Sequence, residues 1–281
     1  VPLAPPSSDA GRLTEAYRQA QATRAAQVAA LVALYYRTRV DPANEKSVKA
    51  WLDQAVRLLM TEHRRQAQSG ALYATALRRL ELPGAAPKSF LPHTIATEEQ
   101  IETSLRVVGP AAYMSTFRDI ALDDEVDDLE KKAKLELAKK SIEVRITGAA
   151  LRHAQNGGRQ TTYAAATTDK VALGYIRVTR DKPCYFCALL ASRGLQEGFT
   201  YTEDSFDLSD ARFTGEGTAK VHDNCQCHLK PVYLDTDDYV DRSEFFENLY
   251  REFSTGGGAK AISSFRTGYN AWASGKVTVD F

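Results

Sequence analysis

All four cysteines of the chain fall between positions 184 and 228. They occur as Cys184-Tyr185-Phe186-Cys187 and, after a polar stretch, as His222-Asp223-Asn224-Cys225-Gln226-Cys227-His228. A chain that uses these two groups together must fold back on itself between them, and the chemistry that such spacing suits is zinc. Zn²⁺ takes four tetrahedral N or S ligands, and two cysteines separated by two residues wrap a tight turn with both sulfurs facing one ion. Cys225 and Cys227 point to one side of an extended segment, and His222 lies close enough upstream to replace either. Six side chains compete for four places, so spacing leaves the set open. The preferred ligands are Cys184, Cys187, Cys225 and Cys227, with His222 the first substitute and His228 the last choice.

Two disulfides, or four free buried thiols, are the competing readings. Disulfides need an oxidising compartment, and the first ten residues show no basic stretch followed by an apolar core, as an export signal would. A closed, cysteine-rich site reads as structural. Catalytic zinc keeps one position open for water, and no H-E-x-x-H pattern occurs in the chain.

With 281 residues, 43% hydrophobic and 26% charged, the chain has the means to bury a sizeable core in one large or two modest domains. Lys plus Arg and Asp plus Glu number 36 each, so bulk charge gives no reason for nonspecific nucleic-acid binding. The apolar run from Ala25 to Tyr36 is too short to cross a bilayer and reads as a buried helix face.

The expected fold class is α+β: a long-helical N-terminal half, a small β-rich zinc-stabilised module, and C-terminal helices. Residues 1–8, rich in proline, form an extended arm, and 9–158 a helical domain. Residues 159–235 form the α/β zinc-binding module, and 236–281 the last helices and tail. Val28, Leu31, Val32 and Tyr35 make one buried stripe of a helix over 9–39. Val48, Trp51, Leu52, Ala55 and Leu59 mark a second, which Gly70 bends before a third over 71–82. His63, between Glu62 and Arg64, reads as a solvated surface histidine. Thr97 caps another helix, with Glu98 and Glu99 in its first turn. The run from Asp123 to Lys140, acidic then basic, suits the dipole of a long helix that Gly157-Gly158 stops. Val171 to Arg180 alternates as a strand that delivers the chain into Cys184, and Cys225 to Leu234 returns as another. Phe245, Leu249 and Phe253, then Ile262, Phe265, Tyr269 and Trp272, stripe two helices hinged at Gly256-Gly257-Gly258.

No G-x-S-x-G or phosphate-loop pattern is present. No catalytic residue is therefore assigned.

The words Cys184-Tyr185-Phe186-Cys187-Ala188-Leu189-Leu190-Ala191-Ser192-Arg193-Gly194 and Val221-His222-Asp223-Asn224-Cys225-Gln226-Cys227 resemble the MuF-like minor capsid, or head morphogenesis, proteins of tailed bacteriophages, those of actinobacteriophages above all. The resemblance is specific over 171–234 and weaker over 10–120, where Ala33-Leu34-Tyr35-Tyr36-Arg37 and Asp41-Pro42 carry it. It carries over Cys184, Cys187, His222, Cys225 and Cys227; Gln226 stands where the family often has arginine. It implies a low-copy virion protein inside the head, made in the host cytoplasm. Its partners would be the portal protein, capsid or scaffold subunits and packaged DNA, with no membrane. Some relatives are fused to, or act as, the capsid maturation protease, and others carry a transferase domain with a Glu-x-Glu motif that is absent here. The non-enzymatic role is preferred; a maturation protease is one alternative. A zinc-ribbon nucleic-acid binder is another, resting on Arg177, Arg180, Lys182, Arg193 and Lys230 beside Tyr185 and Phe186.

Overall fold

Four helix starts are written in short polar side chains. Ser8 accepts a hydrogen bond from the Gly11 amide and opens α1 (Asp9–Arg39), and Asn44 accepts from the Lys46 and Ser47 amides to open α2 (Glu45–Glu81). Thr97 and Gln100 form a reciprocal capping box at the start of α3 (Glu98–Arg106). Asp127 accepts from the Glu130 amide and opens α5 (Asp128–Thr168). Between α3 and α4 (Ala112–Ala121) the chain widens into a π turn, Val107–Ala111, around Pro110, whose missing N–H breaks the regular ladder. The long acidic-to-basic helix begins at Asp128 rather than at Asp123, because α4 has only just ended and Asp127 supplies the cap.

The computed structural model describes residues 6–123, 126–195, 225–234, 236, 238–279 and 281. Helices α1, α2 and α5 pack side by side, with α3 and α4 laid against them. Trp51 lies at the centre of their core, fully buried, and its indole N–H donates to the Val32 carbonyl at 3.1 Å. The expected stripe on α1 divides. Val32 is buried, whereas Leu31 is 54% exposed, because the neighbouring helices cover a narrower arc of α1 than the apolar residues span.

Neither expected glycine break occurs. Helix α2 runs through Gly70, and α5 runs through Gly157-Gly158, so the expected boundary between 158 and 159 falls inside a continuous helix. The reason is close packing. A Cβ on Gly157 would collide with the His63 carbonyl of α2, and one on Gly158 would sit 2.6 Å from the Gln21 side-chain oxygen and 2.7 Å from the Tyr17 hydroxyl of α1. A Cβ on Gly70 would in turn lie 3.1 Å from the Gly158 carbonyl. These glycines let the backbones of α2 and α5 approach closely and leave room for the Tyr17 and Gln21 side chains of α1. Gly157→Ala is expected to lose about 2 kcal/mol in urea unfolding: the clash costs roughly 1–3 kcal/mol and the helix-propensity gain of up to about 1 kcal/mol offsets only part. Gly257→Ala, with nothing within 4 Å, is the neutral control.

His63 is not on the surface. It is fully buried, with Nδ1 2.8 Å from the His153 carbonyl of α5, and burial pulls its pKa below the ordinary value. Its charged sequence neighbours Arg64 and Arg65 lie on the exposed side of α2, a turn of about 100° per residue away.

Past α5 the chain forms β1 (Gly174–Val178), α6 (Tyr185–Ala191) with a 3₁₀ turn over Ser192–Leu195, β2 (His228–Val232), α7 (Asp238–Phe253) and α8 (Gly258–Ala273). Strands β1 and β2 pair antiparallel, Gly174 opposite Val232 and Val178 opposite His228. They make the one sheet among the described residues, and it lies on the C-terminal half of α5, where Tyr163 meets Tyr175 edge to face. The fold is thus mostly helical with a two-stranded sheet; the β-rich character expected of the module exceeds what the described residues contain. Leu189, Phe246, Leu249, Phe265, Tyr269 and Trp272 close a second core between α6, α7 and α8. Gly256 and Gly258 adopt φ of +73° and +56° at the hinge between α7 and α8, a left-handed backbone open mainly to glycine.

Polar links tie the C-terminal elements to the bundle. Lys230 of β2, with no exposed surface, donates to Glu81 of α2 at 2.7 Å. Asp238, at the start of α7, accepts from Ser7 and Ser8, holding the end of the expected N-terminal arm.

Candidate metal centre

Strand β1 ends at Val178 and hands the chain through Pro183 to Cys184, which is the N-cap of α6; its sulfur accepts from the Cys187 amide at 3.4 Å. The C-x2-C is therefore a helix start, with Cys187 on the first turn. Cys225 and Cys227 lie immediately before β2, and the β1–β2 pairing carries them to the same place. The Cys187 sulfur lies 3.2 Å from that of Cys225 and 3.6 Å from that of Cys227, and the latter two are 2.8 Å apart. All three are buried, while Cys184 stands half-buried at their rim. None of the four is in a disulfide. A cavity of about 60 Å³ opens beside them, lined by Thr179, Arg180, Pro183 and the four cysteines. Cys187, Cys225 and Cys227 are placed to bind a metal ion.

Two buried arginines complete the site, and motif reading did not single them out for it. Arg159 of α5 donates from Nε to the Cys227 carbonyl and from Nη2 to the Cys225 carbonyl, both at 2.8 Å. Asn156 and Gln155, three and four residues earlier on the same helix, hold its other edge at 3.0 and 2.6 Å. Arg177 of β1 donates from Nη1 to the Cys227 sulfur at 2.7 Å. The only signal in the sequence is a Gln-Asn pair one helical turn before an arginine, which fits many solvated helices as well.

The charges explain how the thiols ionise. Burial raises Cys227, but hydrogen bonds from Cys187 and Cys225 and the positive charges of Arg177 and Arg159 outweigh it, and hold this thiol well below its ordinary value. Cys187 is pushed well up by its contacts with Cys184, Cys225 and Cys227 and by burial. Cys225 goes to about 12, the lowering contact with Cys187 being outweighed by Cys227 and burial. Of the three buried thiols, Cys227 is thus the one whose surroundings favour the thiolate.

The donor set fits a thiophilic ion. Four thiolates around Zn²⁺ carry a net charge of about −2, and two guanidiniums in the same buried shell balance it. The 2.8 Å between Cys225 and Cys227 is shorter than the edge of about 3.7 Å that Zn–S bonds of about 2.3 Å require, so an ion must spread that pair.

Of the other expected site residues, His222 lies outside the described residues, as does the polar segment 196–224. His228 turns away from the sulfurs. Its ring packs edge-on against Tyr17 at 5.0 Å and Tyr73 at 6.0 Å, and burial brings its pKa down to about 3. The basic cluster considered for nucleic acid divides: Arg180 and Lys182 are exposed and Arg193 and Tyr185 half-buried, whereas the rest is inside. Arg177, Lys230 and Phe186 are all buried, the first against sulfur and the second against Glu81.

A family model described as VG15 protein matches residues 7–255. No curated protein and no solved structure matches the chain. No helix among the described residues is long and apolar enough to cross a membrane.

Proposed function

Because this chain belongs to the VG15 protein family, a family of phage proteins, we propose that it is a minor capsid protein of the phage head. It acts beside the portal in head assembly or DNA delivery, without enzymatic activity, and carries a structural zinc ion. Cys187, Cys225 and Cys227 bind that ion with Cys184 as the fourth ligand; His222 is the alternative fourth ligand. When bound, the ion supplies a cross-link between the two halves of the sheet region and no chemistry of turnover.

The observation that carries this reading is the convergence of three buried thiols from segments 38 residues apart, on carbonyls and a sulfur held by two buried arginines. A site so enclosed suits a fixed ligand shell better than an open catalytic one. The MuF-like resemblance of the Cys184–Gly194 and Val221–Cys227 words supports the place in the virion.

Co-expression with the portal and major capsid subunits of the same phage tests it. The expected result is co-purification with the portal, about one zinc per chain by elemental analysis, and an uncleaved capsid subunit. Zinc-free protein would remove the metal, failure to join the portal would remove the location, and capsid cleavage would replace the structural role with a protease.

A further inference from the structure

The outer face of the bundle carries an apolar groove that the fold leaves unfilled. Its floor comes from Val28, Leu31, Leu34 and Tyr35 of α1 and Leu58 of α2, with Trp51 and Ala55 beneath. Two adjoining hollows of about 390 and 380 Å³ share Gln54 and Leu58 and so form one trough. Leu31, Leu34 and Leu58 are 54, 44 and 37% exposed along it. From Val28 to Arg39 the trough follows α1 for roughly 16 Å at about 1.5 Å per residue, room for about three turns of a helix.

The rim is basic. Arg39 stands at one end, and Arg57 and Arg65 line the α2 wall. Arg39 and Arg57 make no ion pair among the described residues, and from Arg24 to Arg39 helix α1 contains no acid. The one carboxylate lining the trough, Glu62, is buried and already held by Gln66 at 2.9 Å, by Arg24 at 3.2 Å and, more loosely, by Arg65 at 4.0 Å. Asp53, nearby on α2, is exposed and pairs with Lys49.

We infer that this groove docks an acidic amphipathic helix of a protein partner, its apolar side chains at i, i+3, i+4 and i+7 in the trough and its carboxylates on the flanking arginines. Helix-in-groove recognition uses this combination of an apolar floor with charged walls. A concave trough one helix wide is the wrong shape for a bilayer, which takes a convex apolar face. Nucleic acid needs phosphate contacts rather than a leucine floor. A symmetric pair of copies would set arginine rims against each other. The inference is independent of the metal and of the place in the virion.

The test uses the full chain and two fluorescein-labelled synthetic helices about 18 residues long, long enough to be helical in isolation. Both carry leucine at the groove-facing positions; one has glutamate on its flanks and the other lysine. The glutamate peptide is expected to bind, more tightly at low salt, and the lysine peptide about tenfold or more weakly. Arg57→Glu with Arg65→Glu, and separately Leu31→Asp, should each weaken the glutamate peptide at least about tenfold, with unchanged far-UV circular dichroism. These are exposed positions, so the variants fold. Equal binding of the two peptides, no binding of either, or binding indifferent to the arginine changes overturns the proposal. So does a concentration-dependent dimer in sedimentation that Leu31→Asp abolishes, which would assign the groove to a second copy.

Discussion

Chelation of the purified protein, or Cys225→Ser, is expected to open the Cys184–Cys187 and Cys225–Cys227 turns to protease while the helical signal of α1, α2 and α5 persists. The two halves respond differently because they are held differently. The bundle has a continuous apolar core around Trp51. The cysteine-bearing turns meet at sulfur, and two buried arginines face them. Loss of the proposed ion would leave the sulfurs of the two turns without a bond between them, and would forfeit metal–thiolate binding that contributes about 10–16 kcal/mol in small zinc domains. The sheet keeps its packing of Ile176, Val178, Leu229 and Val232 on Tyr239 and Val240, so the loss concentrates at the cysteines and spares the bundle. Cys184→Ser, at the rim, should do less than Cys225→Ser. Proteolysis followed by mass spectrometry reads the cut sites; identical patterns with and without chelator would mean that no ion holds this region.

The second large effect is expected at Lys230. Replacing it by methionine removes the ammonium that lies 2.7 Å from Glu81, which is 6% exposed. Taking one member from a buried ion pair costs about 3–5 kcal/mol. Methionine returns some apolar burial, so urea unfolding should show a loss near the lower end of that range. The double change Lys230→Met with Glu81→Leu should recover most or all of it, because desolvating two charges already offsets most of their attraction. A double variant no more stable than the single one would mean that the pair has a role beyond mutual neutralisation, such as setting β2 against the end of α2.

Much of the scaffold is legible locally. Thr97 with Glu98 and Glu99, the glycines at 256–258 and the aromatic stripes of α7 and α8 are short-range signals, and the structure follows each of them. The cysteine spacing likewise indicates which segments meet. What escapes is tertiary. Gly157-Gly158 looks like a helix stop because a glycine pair usually ends a helix, and only the presence of α1 and α2 against it turns the pair into a contact. His63 reads as solvated from its neighbours in sequence, but Arg64 and Arg65 occupy the exposed side of α2 and Glu62 is itself buried. Leu31 reads as core because periodicity gives the apolar arc, not how much of it a partner covers. Arg159 and Arg177 belong to no motif; their role exists only once α5 and β1 are laid beside the cysteines.

Helix α5 runs unbroken for 41 residues, about 60 Å at 1.5 Å per residue, and Arg159 near its far end grips the carbonyls of Cys225 and Cys227. A rod of this kind is a lever with no joint. A shift of α5 as one body would therefore strain the two hydrogen bonds at the Cys225 and Cys227 carbonyls, which ties the position of this helix in the bundle to the cysteine-bearing turn.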